Sequence, residues 1–144
     1  MLKDKVFLTQ TDTTIGFISQ NADKLTAIKQ RPPHKHYIKA LPSFKTLKSF
    51  TRVPNSHKNR VRRAKKTTFI MPNGHSYRVV QETHHLLLLS RLGWAYTTSA
   101  NLSSKEYDED FAKDNSDIIV TPLKQKSSAS SIYKLGKTFL KRIR

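Results

Sequence analysis

The chain has 144 residues, 36% of them hydrophobic, enough for one domain with one core, whereas two independent domains would each be marginal. It contains no cysteine, which excludes disulfides and thiolate metal sites, and its longest leucine run, the four residues 86–89, falls far short of the roughly 20 apolar residues that span a bilayer. Its 27 Lys and Arg against 10 acids give a formal charge of +17 and a pI near 10.3, an imbalance that suits a polyanionic partner and argues against a membrane-embedded one.

The charge is unevenly distributed. Residues 24–81 contain no Asp or Glu, residues 58–66 hold six cations in nine positions, and six of the ten acids lie within residues 106–117. A merely solubilising surface is the bland reading of such runs; a nucleic-acid footprint is the sharper one. No apolar signal-like stretch follows Met1, so a cytoplasmic location is expected.

In chain order, alternation of Val6 and Leu8 against Phe7 predicts a strand over residues 5–9, followed by a polar turn and a second extended piece reaching Phe17. Ala22, Leu25 and Ile28 recur at helical spacing, and Pro32–Pro33 stop the helix near Lys29. A strand is expected over residues 37–40, then a helix opened by Pro42 and Ser43 with Phe44 and Leu47 inward. Residues 67–71 and 76–80 are β-rich and flank Asn73–Gly74, a strong hairpin signal.

Thr83 is read as the cap of a helix running to Leu92, which Gly93 ends before a strand over residues 94–98. A short solvated helix is expected within residues 106–113, and Ile118–Val120 reads as a buried-type strand. Residues 127–131 form a serine loop before a last strand. Strands alternating with helices, plus one hairpin, give a mixed α/β fold with helices packed on a mixed sheet. The expected organisation is a single domain over residues 1–136 and a basic tail over 137–144.

Four scattered glycines offer neither a P-loop nor a dinucleotide fingerprint, so phosphates would have to be held by side chains and by Ser/Thr-rich turns. His34 and His36 flank Lys35, and a cation between them argues against a metal site; His84 and His85 read as surface or core residues. No nucleophile elbow or paired carboxylates suggest hydrolysis. Three segments are more informative: Thr11–Asp12–Thr13 after the first strand, Lys29–Gln30–Arg31–Pro32 with Lys35 beyond, and residues 97–103 (Thr-Thr-Ser-Ala-Asn-Leu-Ser) after a strand. Separately they are a turn, a helix end and a capping loop. Together they supply hydroxyls, amides and cations at strand ends, where open α/β sheets bind ligands.

These segments resemble the YrdC-like threonylcarbamoyl-AMP synthase family. Residues 6–17 are similar to its strand, Pro-Thr-Asp/Glu-Thr turn and aromatic-Gly-Leu pattern, and Lys29-Gln30-Arg31-Pro32 matches its Lys-x-Arg-Pro signature. Thr68-Phe69-Ile70, Arg78-Val79, Ser99-Ala100-Asn101-Leu102-Ser103 and Ser130-Ser131-Ile132 resemble further family segments in the same order. The resemblance implies a twisted mixed sheet around a basic cavity, and condensation of L-threonine, bicarbonate and ATP into threonylcarbamoyl adenylate with release of pyrophosphate. The product would serve tRNA modification, with Mg2+ held mainly by the phosphates and with other proteins of that pathway as partners.

Carried over by motif, Lys29 and Arg31 are the expected catalytic cations, binding carboxylate, bicarbonate and phosphate oxygens, and Lys35 supports the phosphates. Thr11 would help hold threonine. Ser99, Asn101 and Ser131 would line the nucleotide pocket beside Thr68 and Arg78. The family turns are altered here: Gln10 and Ala129 stand where prolines are expected, Ile15 replaces an aromatic, Ala64–Lys65–Lys66 replaces Pro-Gly-Pro, and Ser104 replaces a glycine. The chain also begins almost at the first strand. The alternative expectation is therefore a catalytically degenerate relative that binds double-stranded RNA, tRNA or ribosomes through Lys58, Arg60, Arg62, Arg63, Lys65 and Lys66.

Overall fold

Side-chain alternation along each strand decides how the sheet is covered. A computed structural model of the chain describes residues 2–33, 35–103, 105–123 and 129–144. The expected first strand and extended piece are β1 (Phe7–Gln10) and β2 (Ile15–Ser19), an antiparallel pair in which Leu8 faces Phe17 and Phe7 faces Ile18. Leu8 and Phe17 therefore point to one side of the sheet, Phe7 and Ile18 to the other.

The rest follows in sequence: α1 (Ala22–Lys29), β3 (Ile38–Leu41), α2 (Phe44–Phe50), α3 (Lys58–Arg63), β4 (Thr67–Ile70) and β5 (Ser76–Val79). Then come α4 (Thr83–Leu92), β6 (Ala95–Ser99), α5 (Glu109–Asp114), β7 (Ile118–Ile119), β8 (Ser131–Leu135) and β9 (Leu140–Arg142). The strands form one mixed sheet in the order β7-β1-β2-β6-β3-β5-β4-β8-β9.

The core divides by face. On one side, Leu8 and Phe17 pack with Leu25 of α1 and Ala112 of α5, while Leu41, Phe69 and Tyr77 pack with Leu47 of α2 and Val61 of α3. On the other, Phe7, Ile18, Ala40 and Ala95 pack against Leu89 of α4. Burying these side chains is the main favourable term holding the layers together.

Local chemistry explains the boundaries. Asn21 and Ser43 cap α1 and α2 by accepting from Lys24 N and Thr46 N. In the hairpin, Gly74 N donates to Met71 O at 2.8 Å, with Gly74 at φ +87°, so Pro72 and Asn73 form the turn and glycine takes the left-handed residue after it.

Several expectations need correction. The cap of α4 is Glu82, whose two carboxylate oxygens accept from His84 N and His85 N, not Thr83. Ile118–Ile119 is an edge strand rather than a buried one: among the described residues it pairs only with β1, and Ile119 is 41% exposed. The basic run contains α3, unforeseen because only Val61 of its residues is apolar and buried. The segment expected as a basic tail contributes β9, paired antiparallel to β8. Of the serine loop, residues 127 and 128 lie outside the described residues, as do His34 and Ser104. Among the described residues no helix is long and apolar enough to cross a membrane.

Candidate active site

Helix α1 ends where its chemistry begins. Gln30 takes a left-handed conformation and its N–H donates to Thr26 O, turning the chain so that Lys29 points inward, only 4% exposed. The Lys29 ammonium donates to Ser99 O and Asn101 Oδ1, both at 2.9 Å, with a longer approach of 3.4 Å to Ser99 Oγ. The Ser99 hydroxyl and the Asn101 side-chain amide are themselves engaged, with Asn101 Oδ1 and Lys105 O respectively. An ammonium has three donors, so two are firmly used here and the third is only loosely held. Burial, assisted by the neighbouring Arg31 charge, lowers the Lys29 pKa from 10.5 to about 8.

Beside this cluster lies a polar hollow of about 290 Å3, walled by Thr13 and Thr14 from the β1–β2 turn, Arg31, His36 and Tyr37, Arg78 of β5, Thr97–Ser99 of β6, and Ala129, Ser130 and Arg144. The Arg31 guanidinium stacks 4.4 Å from the Tyr37 ring centre and donates to His36 O at 3.4 Å, which holds it along the wall. Arg144 donates to Ser130 O at 2.9 Å and to Ser130 Oγ at 3.2 Å, and Ser130 Oγ lies 2.9 Å from Thr68 Oγ1.

Arg78 reaches the hollow from below. Its Nε is 3.2 Å from Asp12 Oδ1 with both side chains buried, yet neither atom has a well-aligned hydrogen bond. Burial raises the Asp12 pKa against the opposing pull of Arg78, and burial lowers that of Arg78 against the pull of Asp12. Asp12 is the only carboxylate in contact with any of the three arginines in this wall among the described residues, so the wall keeps a net positive charge suited to an oxyanion.

Of the expected site residues, Lys29, Ser99 and Asn101 are directly bonded, and Arg31 and Arg78 line the adjoining hollow. Thr11 is buried in the β1–β2 turn, where its hydroxyl accepts from Thr13 N and donates to Thr14 O, so it shapes the turn while Thr13 and Thr14 form the wall. Thr68 stands behind Ser130, and Ser130 rather than Ser131 borders the hollow. Lys35 lines a neighbouring groove instead. Lys58, Arg60, Arg62 and Arg63 fall on α3, with Lys65 and Lys66 in the turn after it; all but the half-buried Lys58 are exposed. His36, Tyr37 and Arg144 were not anticipated as site residues. Only the β8–β9 pairing brings Arg144 back, and no local sequence signal carries that. Asp12 was visible as the one acid in the threonine-rich turn, but its partner Arg78 lies 66 residues away (78 − 12).

No protein-family model matches the chain. An uncharacterised Mycoplasma pneumoniae protein, the MG259 homologue, is 33% identical over an alignment of length 142 that includes 87% of this chain; the chain spans only 29% of that relative's length. The structure is similar to Pyrococcus abyssi Sua5 complexed with L-threonine (TM-score 0.80, 16% identity, 97% of this chain and 50% of that one). It is also similar to Escherichia coli YciO (TM-score 0.75, 18% identity, 99% of this chain and 83% of that one). The fold is YrdC-like.

Proposed function

We propose that the chain joins L-threonine, bicarbonate and ATP into L-threonylcarbamoyl-AMP, releasing pyrophosphate, as a step toward tRNA modification. In this reading the threonine amine combines with bicarbonate to give a carbamate and water. A carbamate oxygen then attacks the α-phosphorus, and the bond to the β-phosphate oxygen breaks. Every stage gathers negative charge, so the protein's task is to place cations and donors rather than to form a covalent bond.

The observation that carries this reading is the meeting of Lys29 with Ser99 and Asn101 beside a hollow walled by three arginines. Lys29 stands behind Ser99, which borders the hollow, and adds its charge from there, while Arg31 and Arg78 in the wall offer planar forks to carboxylate or phosphate. The magnesium that accompanies ATP would ride mainly on its phosphates and on water. The threonine named in the Sua5 complex is consistent with this substrate set.

The test is direct. Folded chain with Mg–ATP, L-threonine and bicarbonate should release pyrophosphate and yield the adenylate, and should do neither when threonine is omitted. Absence of both products with folded protein refutes the activity.

A second reading, binding of RNA by the run 58–66, is favoured by one observation. Val61 anchors α3 in the core while Arg60, Arg62 and Arg63 remain exposed, so the helix presents its cations outward. It is compatible with the first.

A further inference from the structure

Lys39 occupies a position where a hydrophobic side chain would be expected. In the sheet register it stands between Tyr96 of β6 and Tyr77 of β5, and the row continues through Phe69 and Tyr133 to Arg142. These residues lie on the face that α1, α2, α3 and α5 cover, but at Lys39 the cover is split between two core clusters. The split is a groove of about 370 Å3, bordered by α1, the segment before β3, the end of α2 and the β4–β5 turn.

The Lys39 ammonium lies 4.1 Å from the ring centre of Phe50, 4.5 Å from Trp94 and 5.5 Å from Tyr96. The rings partly replace lost water, yet no carboxylate pairs with Lys39 among the described residues, and burial lowers its pKa. A half-buried cation held by rings and lacking an anion is incomplete as a purely structural element. Exposed Lys35 adds charge and exposed His36 and His75 add rings, the two histidines meeting edge to face at 5.1 Å, while Asp23 is the sole acid on the border among the described residues.

We propose that this groove binds a nucleotide of a single-stranded nucleic acid, its base against the exposed rings and its phosphate on Lys35 and Lys39. Rings with interspersed cations on a sheet face are the chemistry by which unpaired strands are held, because every base has a stacking face and every link a charge. A duplex hides its base faces, so the groove discriminates against it. Its volume suits one nucleotide, and it shares His36 and Tyr37 with the neighbouring hollow. The site is distinct from the α3 run and does not depend on adenylate formation.

The single tryptophan, Trp94, sits in the ring cluster around Lys39 and reports on it. The whole chain is titrated at low salt with single-stranded RNA of about eight nucleotides, with a duplex of the same length, and with AMP, following Trp94 fluorescence. The single strand should change the fluorescence and bind more tightly than the duplex. Lys39→Met, which keeps the stem, and the surface pair Phe50→Ala/His75→Ala should each weaken single-strand binding about tenfold, with melting temperature and any adenylate formation retained. Arg62→Ser/Arg63→Ser should lower affinity for strand and duplex alike and leave the fluorescence change at saturation intact. Equal affinity for duplex, no response of Trp94, or full affinity in both groove variants overturns the proposal.

Discussion

Lys29 carries a charge that the fold holds at a cost. Its folded pKa of about 8 lies below the ordinary 10.5, so between those values the unfolded chain binds more protons and stability rises with pH. Near neutrality both states are protonated and the cost of burial is undiminished. An anion in the hollow would favour the ammonium and draw its pKa up again. AMP, whose phosphate is fully ionised well above pH 6, should therefore bind with proton uptake near pH 8 and weaken as the pH rises above it. Calorimetry in two buffers of different ionisation enthalpy measures the uptake, and Lys29→Met should abolish the pH step. The Asp12–Arg78 pair calls for a different experiment, because both side chains are almost fully buried. Arg78→Met leaves a carboxylate without its cation and should cost about 3–5 kcal/mol in urea unfolding. Adding Asp12→Asn to that variant should recover part of the loss, which distinguishes a stranded charge from lost packing.

At the scale of elements, Gly16 shows how a strand pairing positions the site. A Cβ there would lie 2.9 Å from Thr98 O and 3.1 Å from Thr11 Cγ2, so β2 meets β6 and the threonine turn at a point with no room for a side chain. Gly16→Ala should destabilise the chain by about 1–3 kcal/mol and weaken AMP binding, since Ser99 is the β6 partner of Gly16; thermal unfolding and calorimetric titration with AMP check both effects. Sequence reading succeeded where local chemistry decides: α1 ends at Lys29, Ser43 caps α2, Gly93 ends α4, and the hairpin forms around Asn73–Gly74. It fell short where distant partners decide. Apolar Ile118 and Ile119 resemble a central strand, but position at the sheet edge sets their exposure. The cations of 58–66 mask a helix whose one buried residue is Val61. Lys29, Ser99 and Asn101 stood out in the sequence as residues of recognisable motifs, whereas Arg144 and the ring cluster around Lys39 exist only once the sheet is assembled.

For the molecule as a whole, strand order sorts charge. The acids of α5 and Asp117 lie at the β7 end of the sheet, while α3 packs with Phe69 and Leu135 near the other end, where β8 and β9 add Lys134, Lys141 and Arg142. The +17 charge is therefore polarised, and a polyanion approaching from solution should be steered to the β8–β9 half. Each phosphate neutralised releases counterions and contributes about 0.7 to 0.9 to the slope of log affinity against log salt. If the run 58–66 grips RNA, replacing Arg60, Arg62, Arg63, Lys65 and Lys66 with Ser should flatten that slope by up to about 3.5 to 4.5 units while the fold persists, because all five side chains are exposed. Neutralising Glu109, Asp110 and Asp114 at the opposite end should leave the slope unchanged. Filter binding from low to physiological salt measures both, and equal slopes for the parent chain and the five-site variant would locate the polyanion contact elsewhere on the molecule.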